Sequence, residues 1–372
     1  MKDENIYMTT MKLQSTVDVE GEDDDTVVRR VQVTGRGSYI VSIPKHWVEA
    51  AGLKKGGRVE FSKQQNRGLL LTPFDRSRID DERAKCELSL SQEIEPDALT
   101  RKIISLYVIG YATINITSKS GTLSASVRDC IRDVARQKLV GTEMVTESSK
   151  SATLQVLLSY PQLLVPDALR RMGSIMSSMH QDAIQALVTG DKELASQVTK
   201  IDDEIDRFSL YIIRQLKWAV QHLPLLERIG LSNPVDCLGY RIVTKSVERS
   251  ADHACRIAQN ALALNRPLES SMTKDANALA QLSYKMMEKA LKSLFAHDYE
   301  MAEDALLEKD RMATLESKML ERLLKEKIPA GDLSAITLIS DSLRRIGEYA
   351  SDVAEVVLNM TVERSIQPQI KA

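Results

Sequence analysis

From Pro166 onward, apolar side chains recur at spacings of three and four with polar ones between them, which predicts a succession of amphipathic helices. Residues 27–73 follow a different rule. Val31-Gln32-Val33-Thr34 alternates as a strand does, Gly35-Arg36-Gly37-Ser38 supplies a turn, and 39–43 reads as a second strand. Pro44 opens a short helix that Gly52 stops. Gly56-Gly57 then leads into a strand from Arg58 to Phe61, a loop over 64–68 and a last strand beginning at Leu69, completing a β-β-α-β-β unit. Between the two regimes, 74–160 mixes both periods. A helix is predicted over 97–106, a strand over 111–117, an amphipathic helix over 124–138 capped by Ser124, and a strand over 152–158. The expected organisation is multidomain α+β: a disordered acidic tail (1–26), the β unit (27–73), a small α/β linking domain (74–160) and two helical bundles (166–265 and 272–362).

The helical half contains a repeat. Ala183-Ile184-Gln185-Ala186-Leu187, Asp191, Ala195 and Asp203 recur 107 positions later as Ala290-Leu291-Lys292-Ser293-Leu294, Asp298, Ala302 and Asp310. Each copy closes on a further helix, around Glu248-Arg249-Ser250-Ala251-Asp252 in the first and Glu348-Tyr349-Ala350-Ser351-Asp352 in the second, now 100 positions apart. Duplication of a helical hairpin plus a third helix predicts tandem three-helix bundles.

Composition agrees with a helical, water-exposed protein. Hydrophobic residues make up 43% and charged residues 27%, aromatics only 4%, and no apolar run is long enough to span a bilayer, so no membrane insertion is expected. The opening residues lack the features of a signal peptide, and a cytoplasmic location is expected. Cys86, Cys130, Cys237 and Cys255 are widely spaced without a C-x-x-C pair and read as reduced structural thiols. The net charge of −2 conceals a sharp asymmetry: residues 1–26 carry eight acids against two lysines, whereas 27–73 carry nine Lys and Arg against two acids. A cationic block of this density is suited to a polyanion.

The β unit resembles the SpoVT/AbrB swapped-hairpin family in its Val28-Arg29-Arg30-Val31 opening, the Gly35-Arg36-Gly37 turn, Ile43-Pro44-Lys45 before a short helix, Ala51-Gly52-Leu53 after it, and Lys54-Lys55-Gly56-Gly57-Arg58-Val59. The resemblance implies a barrel made by two chains exchanging hairpins, hence a homodimer, and DNA contacts from Arg29, Arg30, Arg36, Lys45 and His46. A unit this small buries too little surface to stand alone, which agrees with dimerisation. A purely dimerising role, with its lysines as ordinary surface, is the alternative.

Glu248 and Asp252, Glu348 and Asp352, and Asp202 and Asp206 are each four residues apart, one helical turn, so each pair shares a helix face. Like charges at that spacing repel. Either neighbouring cations such as Arg207, Arg249, Lys309 and Arg345 neutralise them or a bound metal does. Here the chain resembles the PhoU family over roughly 166–362, on Glu248-Arg249-Ser250-Ala251-Asp252-His253-Ala254 above all. That resemblance implies E/D-x-x-x-D motifs holding a metal ion (iron, manganese, magnesium or zinc) through Asp202, Asp206, Glu248 and Asp252, and through Asp310, Glu348 and Asp352 in the second copy. All-oxygen donors suit iron, manganese or magnesium better than zinc. The second site is weakened, because Ala313 stands where the first copy has Asp206. His253 falls about 100° round the helix from Asp252 and reads as structural.

No His has a Glu three residues before it, as a ferritin-like di-iron site requires, and no P-loop, G-x-S-x-G or H-E-x-x-H motif occurs, so an enzyme is not expected. The expectation is a phosphate-responsive, DNA-binding transcriptional regulator. Its rival is a signalling adaptor that contacts a phosphate transporter or sensor kinase and uses the β unit only to dimerise. An antitoxin role is disfavoured, because the helical half far exceeds a toxin-binding tail.

Overall fold

The computed structural model describes residues 26–35, 37–63, 68–74, 85–90, 94–157, 163–326 and 328–366. Almost all of the predicted acidic tail, Arg36, and the loop residues 64–67 therefore lie outside the described residues. The chain divides into two compact units, at Asp81/Glu82.

In the first unit, β1 (Gln32–Thr34) pairs with β2 (Ser38–Ile40), α1 (Lys45–Ala50) follows Pro44, and β3 (Val59–Lys63) pairs with β4 (Leu69–Pro73). Gly52 takes the left-handed conformation (φ 65°) that ends α1 without a Cβ penalty. Both strands of the first hairpin are shorter than the alternation suggested. Among the described residues, the two hairpins form separate two-stranded sheets. Several of their apolar side chains stay in solvent: Val33, Tyr39, Phe61 and Leu69 are all more than 60% exposed.

The second unit begins with an α/β layer: β5 (Lys85–Leu90), α2 (Pro96–Ile109), β6 (Thr113–Ser118), α3 (Ala125–Asp133), β7 (Thr142–Glu147) and β8 (Ser151–Val156). The sheet order is β5-β6-β8-β7, with β5 and β6 parallel and the other pairs antiparallel. Ile114 and Ile116 alternate inward against Leu99, Ile103 and Tyr107 of α2 and Ile131 of α3. Ser124 caps α3, accepting from the Val127 amide at 3.3 Å. The helix predicted to reach Lys138 stops at Asp133 and continues as one π turn, Val134–Lys138. Two strands escaped the sequence analysis, β5 and β7; β7 carries a register shift between Met144 and Thr146 that breaks its alternation.

The rest is helical: α4 (Val165–Thr189), α5 (Lys192–Gln221), α6 (Asp236–Ala263), α7 (Ser270–Ala296), α8 (Tyr299–Leu306), α9 (Lys309–Lys325) and α10 (Ala330–Ile366). The repeat is visible in the caps. Gly190 and His297, 107 residues apart, both adopt the left-handed conformation at a helix end, and the next residues, Asp191 and Asp298, both cap the following helix through their side chains. The copies then diverge, because α5 runs unbroken where its counterpart splits at Leu307 and Glu308 into α8 and α9. The closing helices α6 and α10 pack together over a long seam, and a single apolar core runs through both copies. A Cβ at Gly239 of α6 would lie 2.7 Å from the Met360 sulfur of α10, so the close approach depends on glycine there.

Candidate functional site

Helices α5 and α6 pack along their length, and the polar edge of that seam carries Asp202 and Asp206 from one and Glu248 and Asp252 from the other. The apolar positions between them, Ile205, Val247 and Ala251, are buried, so the acids are drawn half into the interior by the packing of their neighbours. Burial and mutual repulsion then act together. Asp206 is pushed up to about 6, first by burial and then by Asp202 and Glu248. Asp252 is also pushed up to about 6, by burial and then by Glu248, Asp202 and Asp206. Asp202 moves the same way, from burial, Asp203 and Glu248. The four acids therefore form one electrostatic group. Cys255 lies near it, its thiol pushed up to about 11 by burial, Asp202 and Asp252, which leaves oxygen as the available donor type at neutral pH.

Two lysines oppose this charge. Lys245 pairs with Glu248 on its own helix. Lys138, at the end of the π turn in the α/β layer, pairs with Asp203, and its charge pulls down on both Asp202 and Asp206. Lys138 was missed by sequence reasoning, because nothing in its local spacing ties it to a residue 65 positions away.

The second copy is arranged differently. Arg344 of α10 binds Glu316 at 3.1 Å, Asp341 at 2.6 Å and Glu348, while Arg345 donates to Glu348 at 3.1 Å. Asp352 is raised by burial, then by Glu355 and Glu348, with Lys309 and Arg249 opposing. Asp310 stands exposed in the first turn of α9. Of the residues considered as neutralising partners, Arg345 serves Glu348, and Arg249 lies over the Tyr349 ring, 5.9 Å from its centroid. The structure thus brings Asp202, Asp206, Glu248 and Asp252 together and ties Glu348 to arginines. His253 is buried against Tyr349, with its ring pushed down to about 4, chiefly by burial.

Among the described residues, no three His, Cys, Asp or Glu side chains stand together as a ready-made metal cage. Asp202 Oδ1 is a buried oxygen without a hydrogen-bond donor, whereas Glu248 Oε2 is paired with Lys245, and the group has more negative charge than its two lysines cancel.

On the N-terminal unit, Arg29 and Arg30 are exposed, and Lys45 is exposed beside Glu49 at 3.6 Å. The exposed His46 ring meets Trp47 edge-on, with centroids 6.0 Å apart.

Residues 169–261 and 277–357, the two copies of the repeat, match the PhoU domain model. The chain belongs to the PhoU family. Residues 32–79 match the family model described as antidote-toxin recognition MazE, bacterial antitoxin, so this PhoU protein carries an N-terminal domain of the MazE/AbrB type. A phosphate-specific transport system accessory protein PhoU homolog from Thermotoga maritima is 25% identical over 211 residues, 55% of this chain and 88% of the relative. One from Pseudomonas aeruginosa is 25% identical over 200 residues, 50% of this chain and 78% of the relative. The crystal structure of PhoU from Pseudomonas aeruginosa aligns over 54% of this chain and 96% of its own, with 22% identity and a TM-score of 0.48. Among the described residues, no helix is long and apolar enough to cross a membrane.

Proposed function

We propose that this protein is a cytoplasmic, non-enzymatic transcriptional regulator of phosphate uptake, in which a dimeric N-terminal module binds DNA and the PhoU half responds to phosphate status through a metal ion. The observation that carries the reading is the first unit itself. Its hairpins leave Val33, Tyr39, Phe61 and Leu69 exposed on a strongly cationic segment, an arrangement that a second chain would complete and a polyanion would neutralise. Arg29, Arg30, Arg36, Lys45 and His46 are the DNA contacts in this reading. Asp202, Asp206, Glu248 and Asp252 would hold the ion, with Asp310, Glu348 and Asp352 as a weaker second set. When bound, the ion supplies the positive charge this face lacks and a centre attractive to phosphate oxygens.

A gel-shift titration with DNA from upstream of the protein's own gene tests the reading. Binding that weakens steeply with salt, and whose salt slope falls by about one unit for each contacting arginine replaced by Ala, is the expected result. No shift beyond that of an unrelated acidic protein would favour the second reading, an adaptor acting on a phosphate transporter or sensor kinase. That alternative draws on relatives whose names make them accessory to phosphate-specific transport and whose match covers only about half of this chain.

A further inference from the structure

We propose that the trough between α4 and α7, the opening helices of the two copies, is a binding site for an adenine nucleotide. The inference needs no metal ion and stands apart from the DNA reading. A cavity of about 440 Å³ lies along this seam, within the size range of small-molecule sites. Its wall is apolar where Ile184 of α4 meets Ala280 and Tyr284 of α7. Its rims are carboxamides: Gln181 and Gln185 lie one turn apart on α4, Asn277 and Gln281 one turn apart on α7. Charge enters at one end only, where Lys285 stands with Glu288, and Glu288 is already paired with Lys292 at 3.0 Å. A bare metal or phosphate ion would find little there to neutralise it. A flat, neutral ligand with hydrogen-bonding edges would meet an aromatic face in Tyr284 and amides that both donate and accept.

His180 narrows the class. It is only 2% exposed, yet it forms part of the cavity wall. The Ser283 hydroxyl gives its proton to the Ala280 carbonyl at 3.0 Å, so its oxygen accepts from His180 Nε2, 3.1 Å away. Burial pushes the ring down to about 4, so near pH 7 it is neutral and Nδ1 carries a lone pair. No hydrogen bond among the described residues uses that lone pair. A matching ligand brings a donor to it. Adenine offers its amino group there while its N6–N7 edge suits an Asn or Gln amide, whereas guanine presents a carbonyl oxygen, acceptor against acceptor. The trough continues into a second cavity of about 660 Å³, which shares Asn277 and Gln281 and reaches Ser270 and Lys274. There α7 begins without a side-chain cap, so its first amides and the Lys274 ammonium favour a phosphate. Lys274 lies two turns, about 10 Å, before Gln281 on the helix, a span suited to the base and phosphate of one nucleotide.

Calorimetric titration of the full chain at pH 7.5 with AMP, GMP, adenosine and inorganic phosphate tests the site, and hydrogen exchange places it. AMP should bind at least tenfold more tightly than GMP or adenosine, phosphate should not compete, and AMP should protect 180–189 and 277–285 from exchange. Asn277→Ala with Gln281→Ala should weaken AMP binding at least tenfold while leaving the circular dichroism unchanged. Lys274→Ala, at an exposed position, should weaken AMP but not adenosine. Absence of AMP binding to wild type overturns the proposal, as does wild-type affinity in the double variant or equal affinity for GMP. Displacement of AMP by an equal concentration of phosphate would mean a simple anion site. Exchange protection of the trough in the nucleotide-free chain that fades on dilution would mean that a second copy covers it. Either result also overturns the assignment.

Discussion

The guanidinium of Arg214 lies over the ring of Tyr107, 4.8 Å from its centroid, and donates to the carbonyl of that same residue. One side chain of the PhoU half thereby satisfies the carbonyl end of a helix in the α/β layer, where a cation also complements the helix dipole. Replacing Arg214 by Met keeps much of the bulk and removes the donors. The Tyr107 carbonyl would keep the Gly110 amide at 3.1 Å while the Gly110 carbonyl loses the guanidinium, so a loss of about 1–3 kcal/mol is expected. Urea unfolding followed by far-ultraviolet circular dichroism should change from one transition to two, with the α/β layer melting first. A single transition at the wild-type midpoint would show that the layer is held by its apolar contacts alone.

The carboxylate group makes a prediction about pH. Asp206 and Asp252 each have a folded pKa of about 6, above the ordinary carboxylate value, so folding favours their protonated forms. Their contribution is complete below about pH 4 and is lost as pH rises through about 6. His180 and His253 act in the opposite sense: each is pushed down to about 4, so stability is lost as pH falls from about 6.5 toward 4. Because the two effects overlap, the useful quantity is the difference between a variant and wild type. Metal-free Asp206→Asn should melt several degrees above wild type at pH 7.5, and the gap should close by about pH 4. A gap that persists unchanged at pH 4 would mean that relieved repulsion is not its source.

The proposed dimerisation of the N-terminal module is tested by assembly. Each hairpin buries little and leaves Val33, Tyr39, Phe61 and Leu69 exposed in the single chain, which a partner chain would cover. Deleting 27–73 should lower the mass measured by light scattering to a smaller species. Phe61→Asp in the full chain should do the same without removing a segment. A wild-type mass for both would move the assembly interface to the helical half.

Much of this architecture was legible in the residues. The 107-residue spacing marked Asp191 and Asp298 as equivalent positions of a repeat, and both cap helices, while the period of three to four, a local signal, located the long helices. What escaped was non-local or irregular. The strand at 85–90 alternates Cys86, Leu88 and Leu90 with polar residues, but over only six positions, and the π turn at Val134–Lys138 continues an amphipathic pattern that reads as ordinary helix. The same limit applied to the site. Spacing alone placed each acidic pair on one face, yet could not show that Asp202 and Asp206 meet Glu248 and Asp252 across the α5–α6 seam, nor that Arg344 would engage Glu348.

That last contrast bears on the proposed metal ion. In the first copy, four acids share a half-buried seam with two lysines, and Asp202 Oδ1 is buried without a donor. In the second, Glu348 already receives two arginines, Ala313 replaces the counterpart of Asp206, and Asp310 is exposed on α9. A hard cation gains more where repulsion is unrelieved, so the first copy should bind first and more tightly. Elemental analysis and Mn²⁺ titration of wild type, of Glu248→Gln with Asp252→Asn, and of Glu348→Gln with Asp352→Asn separate the copies. The first double variant should lose the tight equivalent, at least tenfold in affinity, while keeping its helical circular dichroism. The second should retain it. Equal losses in both would place the ion between the copies, and wild-type content in the first double variant would leave the α5–α6 acids as a solvated, repulsive seam with no part in metal binding.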